Sequence, residues 1–263
     1  MTVSVDVTQM EDQNVNTLEG RTAIVTGAGK GIGAGIARAL AEAGASVVVN
    51  YAGDADGARR VVEEIVAKGG RARAAQADVT DPEQVQALFA IAREAFGPVD
   101  VLVNNAATWG FRPFQAITPE LFRHEFDTNV LGPFLTMQAF AAQSEADGGA
   151  VINLSTAGIT STPAYSALYT ATKSALSTAT RVVAKELAGR RIRVNAIAPT
   201  ASDTESSRAI GFVGSEQAVQ AAAQIPLGRI GTPADIGPVA VFLASEAAAW
   251  ITGETVYVSG GDR

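Results

Sequence analysis

The chain has 263 residues, 47% of them hydrophobic and 18% charged, which supplies enough apolar side chain for a full core and excludes intrinsic disorder of the chain body. Acidic residues outnumber basic ones 27 to 20, and the formal net charge of −7 argues against nucleic acid as a partner. The lack of cysteine and the single histidine, His124, exclude disulfides and thiolate or His-rich metal sites. Catalysis would therefore fall to Tyr, Lys, Ser, Thr or carboxylate groups, unless His124 serves as a hydrolase base.

The N-terminal segment, residues 1–17, is polar, unpatterned and free of Lys and Arg, unlike a secretory signal peptide. No stretch of the chain approaches the ~18 consecutive apolar residues of a membrane span. We therefore expect a flexible tail over residues 1–17 and a single domain over residues 18–263. We also expect no membrane association and a cytoplasmic location.

Seven short runs rich in β-branched and apolar residues predict strands. They are Thr22–Thr26, Ser46–Asn50, Arg71–Ala77, Val99–Asn104, Ala150–Leu154, Ile192–Ile197 and Thr255–Val258. Most runs are nearly continuous in apolar residues rather than alternating, which is typical of a parallel sheet buried on both faces.

Ala-rich windows between these runs predict helices. They are Gly31–Ala43, Ala55–Lys68, Pro82–Phe96, Pro119–Gln143, Tyr165–Ala188 and Pro233–Ala244. The alternation predicts an α/β fold, a single-domain, doubly wound (Rossmann-type) parallel sheet of about seven strands with helices on both faces. The pattern breaks over Thr200–Gln224, where we expect a substrate loop because long irregular segments in compact domains are commonly functional.

A glycine-rich turn, Thr26-Gly-Ala-Gly-Lys-Gly-Ile-Gly33, joins the first predicted strand to the first helix. Such a turn lets backbone N–H groups approach a diphosphate at the positive helix N-terminus. We assign Gly27 to the turn itself, Gly31 to close approach of the ligand and Gly33 to helix–strand packing. Because the all-glycine G-x-G-x-x-G spacing is absent, a bare tight turn is the alternative at this point.

Three further segments follow this turn in a fixed order. They are Asn104-Asn105-Ala106-Ala107, Tyr169-Thr-Ala-Thr-Lys173 and Val194-Asn-Ala-Ile-Ala-Pro199. With the glycine turn they resemble the signature segments of the short-chain dehydrogenase/reductase family, including its 3-ketoacyl reductase-like members, over roughly Leu18 to Gly261. Ala107, Thr200 and Ser259 depart from the Gly, Gly and Asp that are usual in the family.

Tyr169 and Lys173 stand four residues apart in a predicted helix, so both side chains project from one face. A nearby ammonium favours phenolate, and we predict that Lys173 lowers the pKa of Tyr169 toward neutrality. The resemblance implies that Tyr169 protonates a carbonyl oxygen, that Lys173 also holds the nicotinamide ribose and that Asn129 supports a water-linked proton path. Taken alone, the pair would be a helix surface pair and Asn129 a satisfied buried amide.

The fifth strand ends in two hydroxyl residues, Ser155 and Thr156, either of which could bind the substrate carbonyl. In the family this hydroxyl usually precedes the Tyr by 13 positions, which selects Thr156. Ser155, at 14 positions, stays open because Ser is the commoner family residue.

The second strand ends Asn50-Tyr51, without the carboxylate that would favour NAD. With Lys30 inside the glycine turn, this predicts NADP(H) over NAD(H), although Asp54 and Asp56 follow closely and Lys30 alone could be an ordinary solvated charge. The resemblance completes the cofactor-binding set with Gly29, Ile32, Asp78, Val79, Asn105, Ala106, Ala107, Pro199 and Thr204.

Residues after the fourth to sixth strands should reach the crevice at the carboxyl ends of the sheet. They place Trp109, Ile159, Tyr165 and Thr200 in a substrate pocket that suits an apolar ketone, while packing under loops would equally explain each aromatic singly. The resemblance implies a reversible NADP(H)-dependent oxidoreductase acting on a small-molecule ketone, aldehyde or secondary alcohol, assembled as a homotetramer or dimer.

Two alternatives remain open. The first is a non-catalytic dinucleotide-sensing or scaffold protein on the same fold, against which the intact Tyr169 and Lys173 argue. The second is a nucleotide-sugar epimerase or dehydratase, which the short C-terminal portion disfavours because it leaves no room for a sugar-binding domain.

Overall fold

The computed structural model describes residues 17–143 and 148–262, so the expected tail lies outside the described residues except for Thr17. Seven strands are present: β1 (Thr22–Val25), β2 (Ser46–Tyr51), β3 (Arg71–Gln76), β4 (Val101–Asn104), β5 (Gly149–Leu154), β6 (Ile192–Pro199) and β7 (Thr255–Val258). All pair in parallel, in the order β3-β2-β1-β4-β5-β6-β7. The predicted doubly wound sheet is confirmed, and its order reverses between β1 and β4, where such folds bind ligands.

Helices cover both faces of the sheet. They are α1 (Gly31–Glu42), α2 (Ala55–Ala67), α3 (Pro82–Phe96), α4 (Pro119–Phe126), α5 (Gly132–Ala141), α6 (Gly158–Ser161), α7 (Ala167–Leu187), α8 (Glu205–Ala209), α9 (Glu216–Gln224) and α10 (Pro233–Ala244). The strands feed two apolar cores because successive side chains point to opposite faces. In β1, Ala23 and Val25 join the core under α1 and α10, while Ile24 joins the core under α3 and α5.

Two predicted helices differ in detail from the sequence windows. The fourth is divided by a π-helical segment, Asp127–Leu131, between α4 and α5. Such segments often lie at functional sites, and this one contains Asn129. The fifth begins at Ala167 rather than Tyr165, because Tyr165 has a left-handed backbone with φ +67°, which no α-helix accommodates.

The expected substrate loop, Thr200–Gln224, lacks a strand as predicted but contains the short helices α8 and α9. Its start is fixed to the body of the protein by a bridge between Ser202 and Gly231. In the described part of the chain, no helix is both long and apolar enough to cross a lipid bilayer.

Candidate active site

The glycine-rich turn leaves β1 and opens α1 with two left-handed residues, Gly27 (φ +59°) and Gly31 (φ +61°). A Cβ atom on Gly27 would lie 2.9 Å from the Cα atom of Ala106, so no larger residue fits there. A Cβ atom on Gly33 would lie 2.9 Å from the Gly27 carbonyl oxygen, in keeping with its predicted packing role. The turn is therefore built for close backbone approach.

Two asparagines hold this turn in place. The Asn50 side chain accepts a hydrogen bond from the Gly27 N–H at 3.2 Å and donates to the carbonyl oxygens of Ala75 and Ala77 at 3.3 and 3.1 Å. The Asn105 side chain donates to the carbonyl oxygens of Thr26 and Gly27 at 2.8 and 3.0 Å. Asn50 is thus occupied inside the protein, where it supports the turn and offers its amide to no ligand.

Thr26 completes the support of the turn from β4. Its hydroxyl accepts hydrogen bonds from the N–H groups of Asn105 at 2.9 Å and Ala106 at 3.0 Å. The Asn-Asn-Ala-Ala segment that the sequence singled out therefore lies directly against the glycine turn. Ala107 is the last residue of this segment, three positions beyond the end of β4.

The N-terminus of α1 already binds an anionic oxygen in the free protein. The N–H of Gly31 donates to the Glu205 carboxylate at 2.8 Å, although Glu205 lies 174 positions later, in α8. Neighbouring Thr204 caps α8 by accepting from the N–H of Ser207 at 3.1 Å. The sequence analysis selects Thr204 but not Glu205. The available signal for Glu205 was its position, as an acidic residue directly after Thr204.

The residues predicted to surround the adenosine lie at the ends of β2 and β3. The N-cap residue of α1, Lys30, is exposed, and Tyr51 is half-buried. Asp78 accepts hydrogen bonds from the N–H and the hydroxyl of Thr80 at 2.9 and 2.8 Å, while Val79 is buried. Asp54 caps α2 by accepting from the Gly57 N–H at 2.9 Å, so this carboxylate is already engaged.

Tyr169 and Lys173 lie on the first two turns of α7, beside the end of β5. Lys173 is only 2% exposed, and its ammonium donates to the Leu154 carbonyl oxygen at 2.7 Å. Its Nζ atom is 5.8 Å from the centroid of the Tyr169 ring. The pair therefore lies on one face of α7 at the carboxyl ends of the strands.

The predicted lowering of the Tyr169 pKa is wrong for this structure. Burial, reinforced by the negative charge of Glu125, raises the pKa of Tyr169 to about 12. Burial also lowers the pKa of Lys173 to about 8. Because desolvation disfavours both charged forms, the ammonium does not offset the loss of water around the phenol.

The two candidate hydroxyls on β5 have different surroundings. Ser155 is 4% exposed, and its hydroxyl lies 2.7 Å from the Ser177 hydroxyl on α7. Thr156 is partly exposed, and its hydroxyl accepts from the Gly158 N–H at 3.2 Å. Of the two, Thr156 lies closer to solvent at the sheet end, whereas Ser155 belongs to the packing between sheet and α7.

Asn129 is fully buried and its side chain is fully engaged. It accepts from the Thr108 N–H at 2.8 Å, donates to the Thr108 carbonyl oxygen at 2.8 Å and donates to the Thr172 hydroxyl at 3.0 Å. Asn129 thereby connects the loop after β4 to the helix that carries Tyr169. Its amide matches the satisfied-amide alternative, whichever further role it has.

The predicted pocket residues lie around the same end of the sheet. Trp109 is 40% and Tyr165 64% exposed, and the Trp109 ring packs edge-to-face with Phe111 at 6.4 Å. Ile159 lies partly exposed in α6. The Thr200 hydroxyl donates to the Asp262 carboxylate, which directs it into a cleft lined by β7.

A buried carboxylate that the sequence reasoning missed lies near this pocket. Glu125 on α4 is 1% exposed, and its carboxylate is 3.8 Å from the guanidinium of Arg112. Burial raises the pKa of Glu125, against the opposing charges of Arg112 and His124. Only the unusual burial of an acid separates Glu125 from ordinary helix-surface glutamates, and the sequence does not show burial.

Among residues 17–143 and 148–262, no three His, Asp or Glu side chains gather where they could hold a metal ion.

Residues 27–262 match the family model described as "Enoyl-(Acyl carrier protein) reductase". An uncharacterized oxidoreductase of Methylorubrum extorquens is 48% identical over 95% of this chain and 100% of its own length. The 3-oxoacyl-[acyl-carrier-protein] reductase of Staphylococcus aureus is 41% identical over 92% of this chain and 97% of its own. Versicolorin reductase 1 of Aspergillus parasiticus is 40% identical over 93% of this chain and 97% of its own length.

Solved structures are similar over nearly the same span. A short-chain alcohol dehydrogenase structure from Sinorhizobium meliloti has a TM-score of 0.87 and 40% identity, covering 93% of this chain and 96% of its own. A blue fluorescent protein from a metagenomic library, solved in complex with NADPH, has a TM-score of 0.85 and 36% identity, covering 93% and 98%.

Proposed function

Because the chain belongs to the short-chain dehydrogenase/reductase family, we propose that it is an NADP(H)-preferring carbonyl reductase in which Tyr169 is the acid/base residue. The observation that carries the proposal is the placement of the glycine turn after β1, and of Thr156 and the Tyr169/Lys173 pair beside the end of β5, at the same edge of the parallel sheet with β4 between them. This is where doubly wound sheets bind their ligands.

The site fits a dinucleotide by the chemistry of its donors. The Gly31 N–H already donates to an anionic partner, and the glycines of the turn leave its backbone open to a diphosphate. When bound, the nicotinamide would supply the hydride. The residues that would hold the cofactor are the turn from Gly27 to Gly33, Asp78, Val79, Asn105 to Ala107, Lys173, Pro199 and Thr204.

The protein's own contribution is proton transfer and orientation. The high pKa of Tyr169 keeps its hydroxyl protonated at neutral pH, the form required to donate a proton to a carbonyl oxygen. Thr156 would orient that oxygen through its hydroxyl. Lys173, held by the Leu154 carbonyl, would fix the cofactor.

The preference for NADP(H) rests on the missing carboxylate at the end of β2 and on the exposed Lys30 at the α1 N-cap. The NADPH complex of the metagenomic relative supports the same choice. Asp54, the nearest competing acid, is engaged in capping α2.

The substrate would be a small-molecule ketone or aldehyde with an apolar body, because the aromatic side chains of Trp109, Phe111 and Tyr165 are exposed on the loops after β4 and β5. The similarity to 3-oxoacyl and versicolorin reductases supports carbonyl reduction without selecting between such substrates. We further propose that the protein is cytoplasmic and forms a homotetramer or dimer. Light scattering of the purified protein would measure the mass of the assembly.

The test of the proposal is Tyr169→Phe, which removes the transferable proton and little else. We expect at least a ~10²-fold loss of NADPH-dependent reduction across a ketone panel, with cofactor binding nearly unchanged in calorimetry. Retention of more than about a tenth of the rate would contradict the acid/base role. A wild-type protein that binds NADPH but turns over no ketone would instead favour a dinucleotide-sensing scaffold.

A further inference from the structure

The loop that follows β4 is fixed at both ends of a short arch, residues 108–112. At one end, both backbone polar groups of Thr108 bond to the Asn129 side chain at 2.8 Å. At the other, the Arg112 N–H donates to the Tyr165 carbonyl oxygen at 2.8 Å. Trp109 and Phe111 lie between these anchors, so their rings are presented to the pocket by a held segment.

Glu125 closes this arch from the side of α4. Its carboxylate approaches the Arg112 guanidinium at 3.8 Å, and α4 packs against α7, the helix that carries Tyr169. A buried acid is costly unless it is paired, so its placement here calls for a reason. A hydrophobic residue would fill the same space at lower cost.

Three buried polar atoms around this arch have no hydrogen-bond partner in the described part of the chain. They are Thr108 Oγ1, Arg112 Nε and Glu125 Oε2. Since buried polar atoms are normally satisfied, the unpaired oxygen of the Glu125 carboxylate calls for an explanation other than packing. The carboxylate lies on α4, which packs against the helix of the proposed acid, and its negative charge disfavours the phenolate form of Tyr169.

We propose that Glu125 is a positioning residue for proton transfer, which holds the arch through Arg112 and acts by its charge on the Tyr169 hydroxyl. This inference rests on the proposed acid/base function of Tyr169. The charged groups around Glu125 are Arg112 from the arch and His124 from its own helix, and those around Tyr169 are Glu125 and Lys173.

The sign of the effect follows from like-charge repulsion. A negative Glu125 disfavours phenolate and raises the pKa of Tyr169, which favours the proton-donating form used in carbonyl reduction. Alcohol oxidation needs the phenolate, so its rate rises with pH toward that pKa. Removing the charge of Glu125 should therefore increase oxidation at a given pH, whereas loss of a merely structural contact would decrease it.

The experiment compares kcat/KM for alcohol oxidation between pH ~8 and ~10 in the wild type, Glu125→Gln and Glu120→Gln. Glutamine keeps the shape of the side chain without its charge, and we expect the profile to move about half a pH unit lower, a roughly threefold gain at fixed pH. Glu120, exposed on the same helix, is the matched control and should leave the profile unchanged.

The inference would be overturned if the pH profile of kcat/KM for Glu125→Gln coincided with that of the wild type. A lower kcat/KM with the same pH dependence would overturn it as well. If that variant fails to fold, Arg112→Met/Glu125→Gln removes both charges together. It should keep the shift toward lower pH while raising KM for the ketone, because the arch loses an anchor. Tyr169→Phe, measured alongside, separates the two proposals, since an active Tyr169→Phe would defeat the proposed function itself.

Discussion

Single side chains in this site have roles that their sequence positions only partly reveal. Asn50 and Asn129 were identified by position, yet both amides are engaged with backbone groups and support the loops that carry the site. Glu125 was not identified, because burial of an acid depends on how α4, α7 and the loop after β4 pack together. Motif spacing finds positions, whereas the direction of a side chain depends on tertiary packing.

Lys30 provides the residue-scale test of cofactor preference. Lys30→Ala should weaken NADPH binding about tenfold while leaving NADH binding nearly unchanged, since a charge-assisted contact to a phosphate is lost. Calorimetric titration with both cofactors measures the two dissociation constants. Lys68→Ala is the control, because Lys68 is also exposed but pairs with Glu42. Equal affinities for the two cofactors in the wild type would exclude the preference.

The choice between the β5 hydroxyls is also a question about single residues. Thr156→Val keeps the shape but lacks the hydroxyl, and we expect a loss of kcat of at least ~10-fold, with Thr156→Ser remaining active. Ser155→Ala should lower stability by about 1 kcal/mol, through its lost bond to Ser177, and leave kcat nearly unchanged. Steady-state kinetics with thermal melts distinguishes the two, and an inactive Ser155→Ala would shift the assignment by one residue.

At the scale of elements, the sequence predicts the strands and the long helices because their signals are local, but it does not predict the short helices α6, α8 and α9. All seven strands appear at or within a few residues of their predicted runs. The deviations come from features that are not local. The residues of Asp127–Leu131 do not by themselves require a π-helix, and a tyrosine does not require the left-handed backbone found at Tyr165. Both conformations therefore depend on the surrounding tertiary structure.

The start of α10 gives a prediction about acid stability. Asp235 accepts from the Thr232 N–H at 2.8 Å and from Arg229 at 2.6 and 2.8 Å, and Arg229 is the main cause that holds the pKa of Asp235 well below its usual range. A depressed pKa stabilises the fold above the unfolded value of ~3.9, and this contribution is lost as pH falls through the lower folded value.

Asp235→Asn should therefore cost about 1 kcal/mol of unfolding free energy at pH ~7, as loss of a helix cap does, and less at pH ~3. Denaturant unfolding at the two pH values measures the difference. Asp56→Asn, in an exposed pair with Arg59 on α2, should cost little at either. A deficit that stays constant down to pH ~3 would contradict the assignment.

At the scale of the whole molecule, the contact between Glu205 and Gly31 joins the glycine turn after β1 to the loop over the substrate crevice. If the turn holds a diphosphate, Glu205 must leave it. Glu205→Gln should then tighten NADPH binding roughly two- to fivefold, because a competing anion at a helix N-terminus is removed. Calorimetry tests this, with Glu216→Gln on α9 as control, and an unchanged or weaker affinity would argue against competition.

On the proposed function, binding of the cofactor diphosphate would displace the Glu205 carboxylate from the Gly31 N–H, so one anion would replace another. If the released carboxylate moves α8, the exposed Arg208 on that helix should change its rate of tryptic cleavage on addition of NADPH alone. The contact between Gly31 and Glu205 would then act as a switch set by the first ligand. Substrate would then bind only after α8 has moved, which predicts steady-state kinetics with a compulsory order in which the cofactor binds before the substrate.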